Sequence, residues 1–251
     1  MASSGSGPRP DVKSWLDFWD RSHRIYVNDR HLRVHCRCVA DDILSLGPDQ
    51  GDAVLDYGCG DALDAARVAD RVRRLYLYDA APEVRARLIR RFAEHERIEV
   101  LDDAGLADTI LAGRIDLMVV NSVLQYVPPE GFATLLATAR RLLKPGGRLV
   151  LADVIPPGDT LVADTRSLLA FAWREGFFPA ALAGLVATFF SDYRRLRQKL
   201  GLQTYAEGTM LRLLSDAGFR AERRRPNFGF NQLRMTFIAR PDARAASGKA
   251  R

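Results

Sequence analysis

Apolar positions between residues 50 and 156 come in short blocks separated by segments of helical spacing. Ala53-Val54-Leu55, running into Asp56-Tyr57-Gly58, predicts a buried strand, and residues 62–72 predict a helix after it. A second strand is predicted over 75–79. A helix over 81–95 follows, with Pro82 near its start, then a third strand over 98–103. Residues 105–113 read as a short helix or loop and 115–122 as a fourth strand. Residues 129–143 read as a helix closed by Lys144-Pro145-Gly146-Gly147, and 148–155 as a fifth strand. Strands alternating with helices imply βαβ units, right-handed crossovers and a parallel sheet.

The flanks follow other rhythms. Trp15, Leu16, Phe18 and Trp19 predict a short amphipathic helix over 13–22. Leu32, Cys36, Val39, Ala40 and Ile43 keep helical spacing from His31 until Gly47-Pro48 stops it. Beyond Pro156-Pro157, residues 160–205 are helical in character and rich in aromatics. A last helix is predicted over 206–217, ending at Gly218. Two strand-like segments, 219–225 and 233–239, are joined by only 226–232. That link is too short for a parallel crossover, so the pair is expected to form an antiparallel hairpin. The expected organisation is a flexible leader (1–12), one domain (13–240) and a disordered basic tail (241–251). The domain carries an N-terminal helical cap (13–47) and a helical lid insertion (about 157–205).

The composition narrows the class. Thirty-seven basic residues stand against 31 acidic ones, for a net charge of +6. The excess is local: nine basic residues against four acids in 192–225, and four against one in 240–251. An uneven basic surface argues only weakly for nucleic acid, so none is expected as a partner. Three cysteines, Cys36, Cys38 and Cys59, form no disulfide framework and fit a reducing, cytoplasmic setting. The opening residues lack a charged start and an apolar core, unlike a signal peptide. The longest apolar run, 177–190, is too short to span a bilayer.

The end of the first predicted strand carries the chemistry. Gly58 and Gly60 let the backbone turn tightly and approach a ligand with no Cβ in the way. A dinucleotide site wants a third small residue three positions on, and Leu63 stands there. Asp56, Asp61 and Asp64 crowd the turn instead. Carboxylates repel a pyrophosphate and favour a cationic ligand such as a sulfonium. Asp79, 23 residues after Asp56, ends the second strand where an acid can take both hydroxyls of a ribose. Asp103, ending the third strand, can read an adenine edge together with the backbone of Ala104.

These motifs resemble the class I S-adenosylmethionine-dependent methyltransferases, notably the type 11 small-molecule group. "VLDYGCG" resembles the glycine motif, "YLYDAAPEV" the ribose motif, "LDDAGL" the adenine segment, "IDLMVVNSVLQYV" the fourth-strand motif, and "LKPGGRLVLADV" the approach to strand five. The resemblance covers about 50–156 and the terminal hairpin. It implies a Rossmann-like, mostly parallel α/β sheet of seven strands in the order 3-2-1-4-5-7-6, the last strand antiparallel. It also implies S-adenosyl-L-methionine as cofactor, held by Asp56, Gly58, Cys59, Gly60, Asp79, Ala80, Asp103, Ala104 and Asn121. Tyr26 is expected to contact the cofactor from an N-terminal segment folded over it. Asn121 lacks the prolines of the enzymes that methylate amide or base nitrogens, since Ser122-Val123-Leu124 follow it.

The implied reaction is in-line displacement at the sulfonium methyl by a small acceptor. By residue type, His35, His31 and Tyr126 are the candidate catalytic groups. His31, His35 and Cys38 share a helical face but lack a fourth ligand, so no metal is expected. Phe171, Trp173, Phe177, Phe178, Phe189 and Phe190 suggest an apolar or aromatic acceptor. A second reading of that segment is peripheral contact with an anionic membrane through Arg194, Arg195, Arg197 and Lys199. The alternatives are an RNA methyltransferase and a methyltransferase-like cofactor-binding protein without turnover.

Overall fold

The computed structural model describes residues 20, 28–158, 161–176, 178 and 201–242, the side chains of 161–166 and 168 excepted. Its centre is one sheet of seven strands. These are β1 (Ala53–Tyr57), β2 (Arg74–Tyr78), β3 (Ile98–Leu101), β4 (Ile115–Asn121), β5 (Leu143–Val154), β6 (Phe219–Arg224) and β7 (Met235–Pro241). Their order is β3-β2-β1-β4-β5-β7-β6. β1 to β5 pair in parallel, and β7 runs antiparallel to both β5 and β6. The fold class and the hairpin are those expected from the sequence.

The helices are α1 (Asp29–Leu44), α2 (Ala65–Ala69), α3 (Pro82–Phe92), α4 (Asp103–Ala107), α5 (Pro129–Leu142), α6 (Leu161–Glu175) and α7 (Glu207–Asp216). Two layers of core result from the strand period of two. Val54, Leu77, Leu117, Val119 and Val150 bury against Ala40 and Ile43 of α1, Val68 of α2 and Leu88 of α3. Leu55, Met118, Val120, Leu149 and Leu151 bury the other way, against Phe132 and Leu136 of α5 and Met210 and Leu214 of α7. Each fully buried Leu, Val or Met contributes roughly 1.5–3 kcal/mol of apolar transfer, which fixes which face of each strand points where. Asp116, in the apolar run of β4, is paid for by two partners. Its Oδ2 accepts the Ala53 N–H at 2.9 Å, and it pairs with Lys144.

Several boundaries differ from the sequence expectation. The predicted helix 62–72 shrinks to α2, because Gly60 and Ala62 take positive φ (58° and 41°) and hold the chain in a turn. β3 stops at Leu101. Asp102 then caps α4, its Oδ1 accepting from the Gly105 N–H at 2.7 Å, so Asp103 opens a helix rather than ending a strand. The Lys144-Pro145-Gly146-Gly147 segment lies inside β5, with a register shift against β4 between Ile115 and Leu117. Gly147 is required there, since a Cβ would meet the Ile115 carbonyl at 2.9 Å. α1 begins at Asp29, and Asn28 caps it by accepting the His31 N–H at 2.8 Å. The expected leader, the helix over 13–22 but for Asp20, residues 179–200 of the insertion and the tail beyond 242 lie outside the described residues.

α6 lies over α1. Arg30 of α1 donates to the Glu175 carbonyl at 3.1 and 2.7 Å, and Arg37 pairs with the Glu175 carboxylate at 3.0 Å. Among the described residues, no helix is long and apolar enough to cross a membrane.

Candidate functional site

β1 pairs with β2 on one side and β4 on the other, so the strand order reverses beside β1. Ligands of doubly wound sheets lie at the carboxyl ends of the strands near such a point. Registers set Tyr57 beside Tyr78 and Tyr78 beside Leu101, so Asp56, Asp79 and Asp103 follow one another along this rim.

Gly58 turns the chain out of β1 with φ 76°, and its N–H and that of Cys59 donate to the Tyr78 carbonyl at 2.7 and 3.1 Å. A Cβ on Gly58 would collide with Val123 Cγ2. Gly60, by contrast, has no heavy atom within 4 Å of the place its Cβ would take. The first glycine is demanded by packing and φ, the second by φ alone. That open space on the glycine turn is the kind of cradle a close-lying ligand needs.

Asp79 ties the two strand ends together. Its Oδ2 accepts the Gly60 N–H at 3.0 Å and its Oδ1 the Ala81 N–H at 2.9 Å. A carboxylate has about four lone-pair sites, so each oxygen keeps one for a hydroxyl. Burial raises the Asp79 pKa, while the two amides, Arg85 and Arg87 pull it back. Asp56 has no such relief. It is buried, and burial together with Asp79 pushes its pKa up to about 7. Among the described residues nothing cationic offsets this.

Asp103 is exposed and receives the Tyr78 hydroxyl at 2.6 Å. Burial, then the bond to Asp103, raises the Tyr78 pKa, so the phenol stays protonated as donor. Tyr78 also packs on Tyr57 at 4.7 Å between ring centroids. Arg85 donates to the Asp79 and Ala80 carbonyls at 2.6 and 3.0 Å and lies 4.0 Å from the Asp103 carboxylate. Neither Tyr78 nor Arg85 was singled out from sequence. The signal for Tyr78 was its place next to Asp79 at the strand end. Arg85 carried none, because one arginine among many on a helix has no distinguishing pattern.

Asp61, one of the acids expected to crowd the turn, is held by arginines. Arg87 of α3 stands 3.4 Å from its carboxylate, and Arg91 donates to its carbonyl.

Between α1 and the glycine turn lies a cavity of about 40 Å³, lined among others by His35, Cys36, Val39, Asp56, Cys59 and Asp64. It has room for a small group rather than a nucleoside. His35 thus shares a cavity with Asp56. Burial, then nearby His31, lowers its pKa to about 4, so it is neutral and weakly basic at pH 7. His31 is buried on α1, its pKa lowered by burial. Cys38 faces elsewhere, packing on the small cluster of Val34 and Phe171. Among the described residues no three His, Cys, Asp or Glu side chains converge as metal ligands. Asn121 ends β4 half-buried, and Tyr126 closes the short turn Leu124–Tyr126 after it. Ala104, beside Asp103, is exposed. Tyr26 lies outside the described residues.

Comparison with known proteins gives a consistent result. A methyltransferase-domain family model matches residues 29–223. The chain is 31% identical over 226 residues to an uncharacterized 37.1 kDa protein of a Streptomyces fradiae transposon, covering 79% of this chain and 61% of that protein. It is 30% identical over 139 residues to the carboxy-S-adenosyl-L-methionine synthase of Dichelobacter nodosus, covering 53% and 57%. The chain therefore spans about three-fifths of the length of these curated relatives. Among solved structures, the DhpI–SAH complex superposes with a TM-score of 0.57 at 15% identity, over 92% of this chain and 97% of that one, a likeness of fold. The chain belongs to the methyltransferase-domain family, the class I S-adenosylmethionine-dependent methyltransferases.

Proposed function

We propose that the chain binds S-adenosylmethionine along the β1–β2–β3 rim and transfers its methyl group to a small, apolar or aromatic acceptor. The observation that carries this reading is Asp56: a buried carboxylate beside an open glycine turn, with its proton held up to about pH 7. A sulfonium is the kind of charge that would relieve it. When bound, the cofactor supplies an activated methyl on a positively charged sulfur. The backbone of Gly58, Cys59 and Gly60 would lie against its amino-acid end, with Asn121 opposite. Asp79, with Ala80, would take the ribose hydroxyls on its remaining lone pairs. Asp103 and Ala104 would face the adenine, with Asp103 aimed by Tyr78.

Because the electrophile is already activated, the protein's contribution is alignment and exclusion of water, worth roughly 7–11 kcal/mol in favourable cases. α6 supports the acceptor class. Phe171 stacks on Phe230 with centroids 4.6 Å apart, and Trp173, 74% exposed, meets Phe178 edge-on at 5.4 Å. Phe171 and Trp173 sit on the helix that is bound across α1, the helix lining the Asp56 cavity. In this reading the insertion covers the acceptor. His35, His31 and Tyr126 remain the proposed groups nearest the reaction; a pKa near 4 suits His35 to orienting more than to abstracting a proton.

The test is calorimetry with S-adenosylhomocysteine, followed by mass spectrometry of small-molecule extracts incubated with a trideuteromethyl donor. Micromolar binding and a labelled small molecule are expected. Binding without any labelled product would make the chain a cofactor-binding protein without turnover, and label in RNA would place it among RNA methyltransferases. No binding would remove the reading.

A further inference from the structure

Two residues beyond the switch point adopt backbone that side chains avoid. Ser122 and Asp153 both have φ 58°, and neither is glycine. Such residues are strained and persist where the surroundings over-determine them. They occupy matching places. Asn121 pairs with Ala152, so Ser122 and Asp153 are the next residues at the carboxyl ends of β4 and β5. The Ser122 hydroxyl donates to Asp153 Oδ2 at 2.8 Å, and the Ser122 N–H to the Ala152 carbonyl at 3.2 Å.

The sheet is also adjusted here. Leu151 pairs with Phe237 and Val154 with Met235, so three steps on β5 oppose two on β7. The extra residue makes a bulge, a device that re-aims a side chain at a sheet rim. The bulge spans Ala152-Asp153. One turn further along the chain from Ser122, Gln125 is buried, and its Oε1 has no hydrogen-bond donor among the described residues. A buried oxygen left so forfeits the hydrogen bonds it makes in water, a cost that an incoming donor would relieve. The Gln125 carbonyl accepts the Gln203 N–H at 2.9 Å, which fastens the return leg of the insertion over this rim.

With the adenine at β3 and the amino-acid end on the β1 turn, as proposed, the reacting end of the cofactor would lie on the β4 and β5 side of the rim. We infer that the Asp153 carboxylate, set by the bulge and by Ser122, is a catalytic group that receives the proton of an acceptor O–H or N–H, with Gln125 as a second oxygen for that donor. The inference rests on the proposed methyl transfer and deepens it by confining the acceptor to protic nucleophiles. The acceptor oxygen or nitrogen forms its bond to the methyl carbon and the carbon–sulfur bond breaks. Its electron pair stays on sulfur, and the acceptor's proton passes to Asp153. Asp153 accepts the proton as its carboxylate, so protonating it in acid stops the transfer.

The test uses phenol, catechol, aniline and benzylamine as protic acceptors, beside thioanisole and N,N-dimethylaniline, which have no proton to lose. Asn tolerates left-handed backbone well, so D153N keeps the fold accessible, and S122A serves as a second variant. D153N is expected to lower kcat/KM for protic acceptors about 100-fold or more and to erase the acid limb of the pH profile. S122A is expected to lower it about tenfold and keep that limb. Calorimetry supplies the second readout. S-adenosylhomocysteine binding should stay within about threefold in both variants, while acceptor binding to the S-adenosylhomocysteine complex weakens. Unchanged acceptor binding and kcat/KM in D153N, or label only on the two proton-free acceptors, or none on any protic one while S-adenosylhomocysteine still binds, overturns the inference. Loss of S-adenosylhomocysteine binding by the wild-type chain instead overturns the reading beneath it.

Discussion

Asp56→Asn isolates the buried carboxylate. In the unfolded chain Asp56 loses its proton near pH 3.8; in the folded one burial and Asp79 hold it to about pH 7. Between those values the folded state binds more protons, so its stability falls as pH rises. At 1.36 kcal/mol per unit the full penalty is about 4 kcal/mol, of which roughly 3 kcal/mol accrues between pH 5 and pH 8. For a chain of this size that is about 6–12 °C of melting temperature. His35 acts oppositely: its lowered pKa, about 4, makes stability rise with pH from about 4 to 6.5. The His35 effect is common to wild type and variant and cancels in their difference. The assay is thermal melting of both proteins without cofactor across pH 5–8. D56N should gain on wild type by several degrees as pH rises. It should also lose the pH-dependent advantage of S-adenosylmethionine over its uncharged homocysteine analogue. Parallel melting curves for the two proteins would refute the account of Asp56.

The remaining expectations concern the turn and its neighbours. Gly58→Ala combines left-handed backbone with a Cβ driven into Val123 and should cost about 2–4 kcal/mol in chemical denaturation. Gly60→Ala meets open space and should cost only about 1 kcal/mol in the same assay; equal losses would contradict the packing argument. Tyr78→Phe deletes the hydroxyl that aims Asp103. Because Asp103 is exposed, the loss should be about 1 kcal/mol, or roughly fivefold in S-adenosylhomocysteine affinity by calorimetry. An unchanged affinity would detach Asp103 from the site.

The sheet was legible because its strands are buried on both faces and therefore read as apolar blocks between helical segments. The hairpin was legible from loop length alone. Helix ends were less so. The α2 boundary depends on positive φ at Ala62, which no side-chain pattern announces. The α4 start depends on which of two adjacent aspartates caps. Within the site, Asp56, the glycines and Asp79 follow from chemistry at strand ends. The pairing of Asp61 with α3 arginines, the clamp of Arg85 and the Ser122–Asp153 contact were hidden. The first and last join residues distant in the chain, which only the closed sheet brings together, and the Arg85 clamp is local but carries no sequence pattern.

The two central carboxylates do opposite work for one physical reason. Asp79 spends half its acceptor capacity on backbone amides, so its charge is partly compensated before any ligand arrives, and in return it fixes the glycine turn against β2. Asp56 sits one strand away without such compensation and holds its proton instead. A neutral ligand would leave that proton in place. A cation set on the turn would favour the ionised form and so gain from a charge the empty fold disfavours. In the proposed reading, a preference for a sulfonium over its neutral product would come from the environment of one buried acid, and the same environment would help expel the product once the charge is gone.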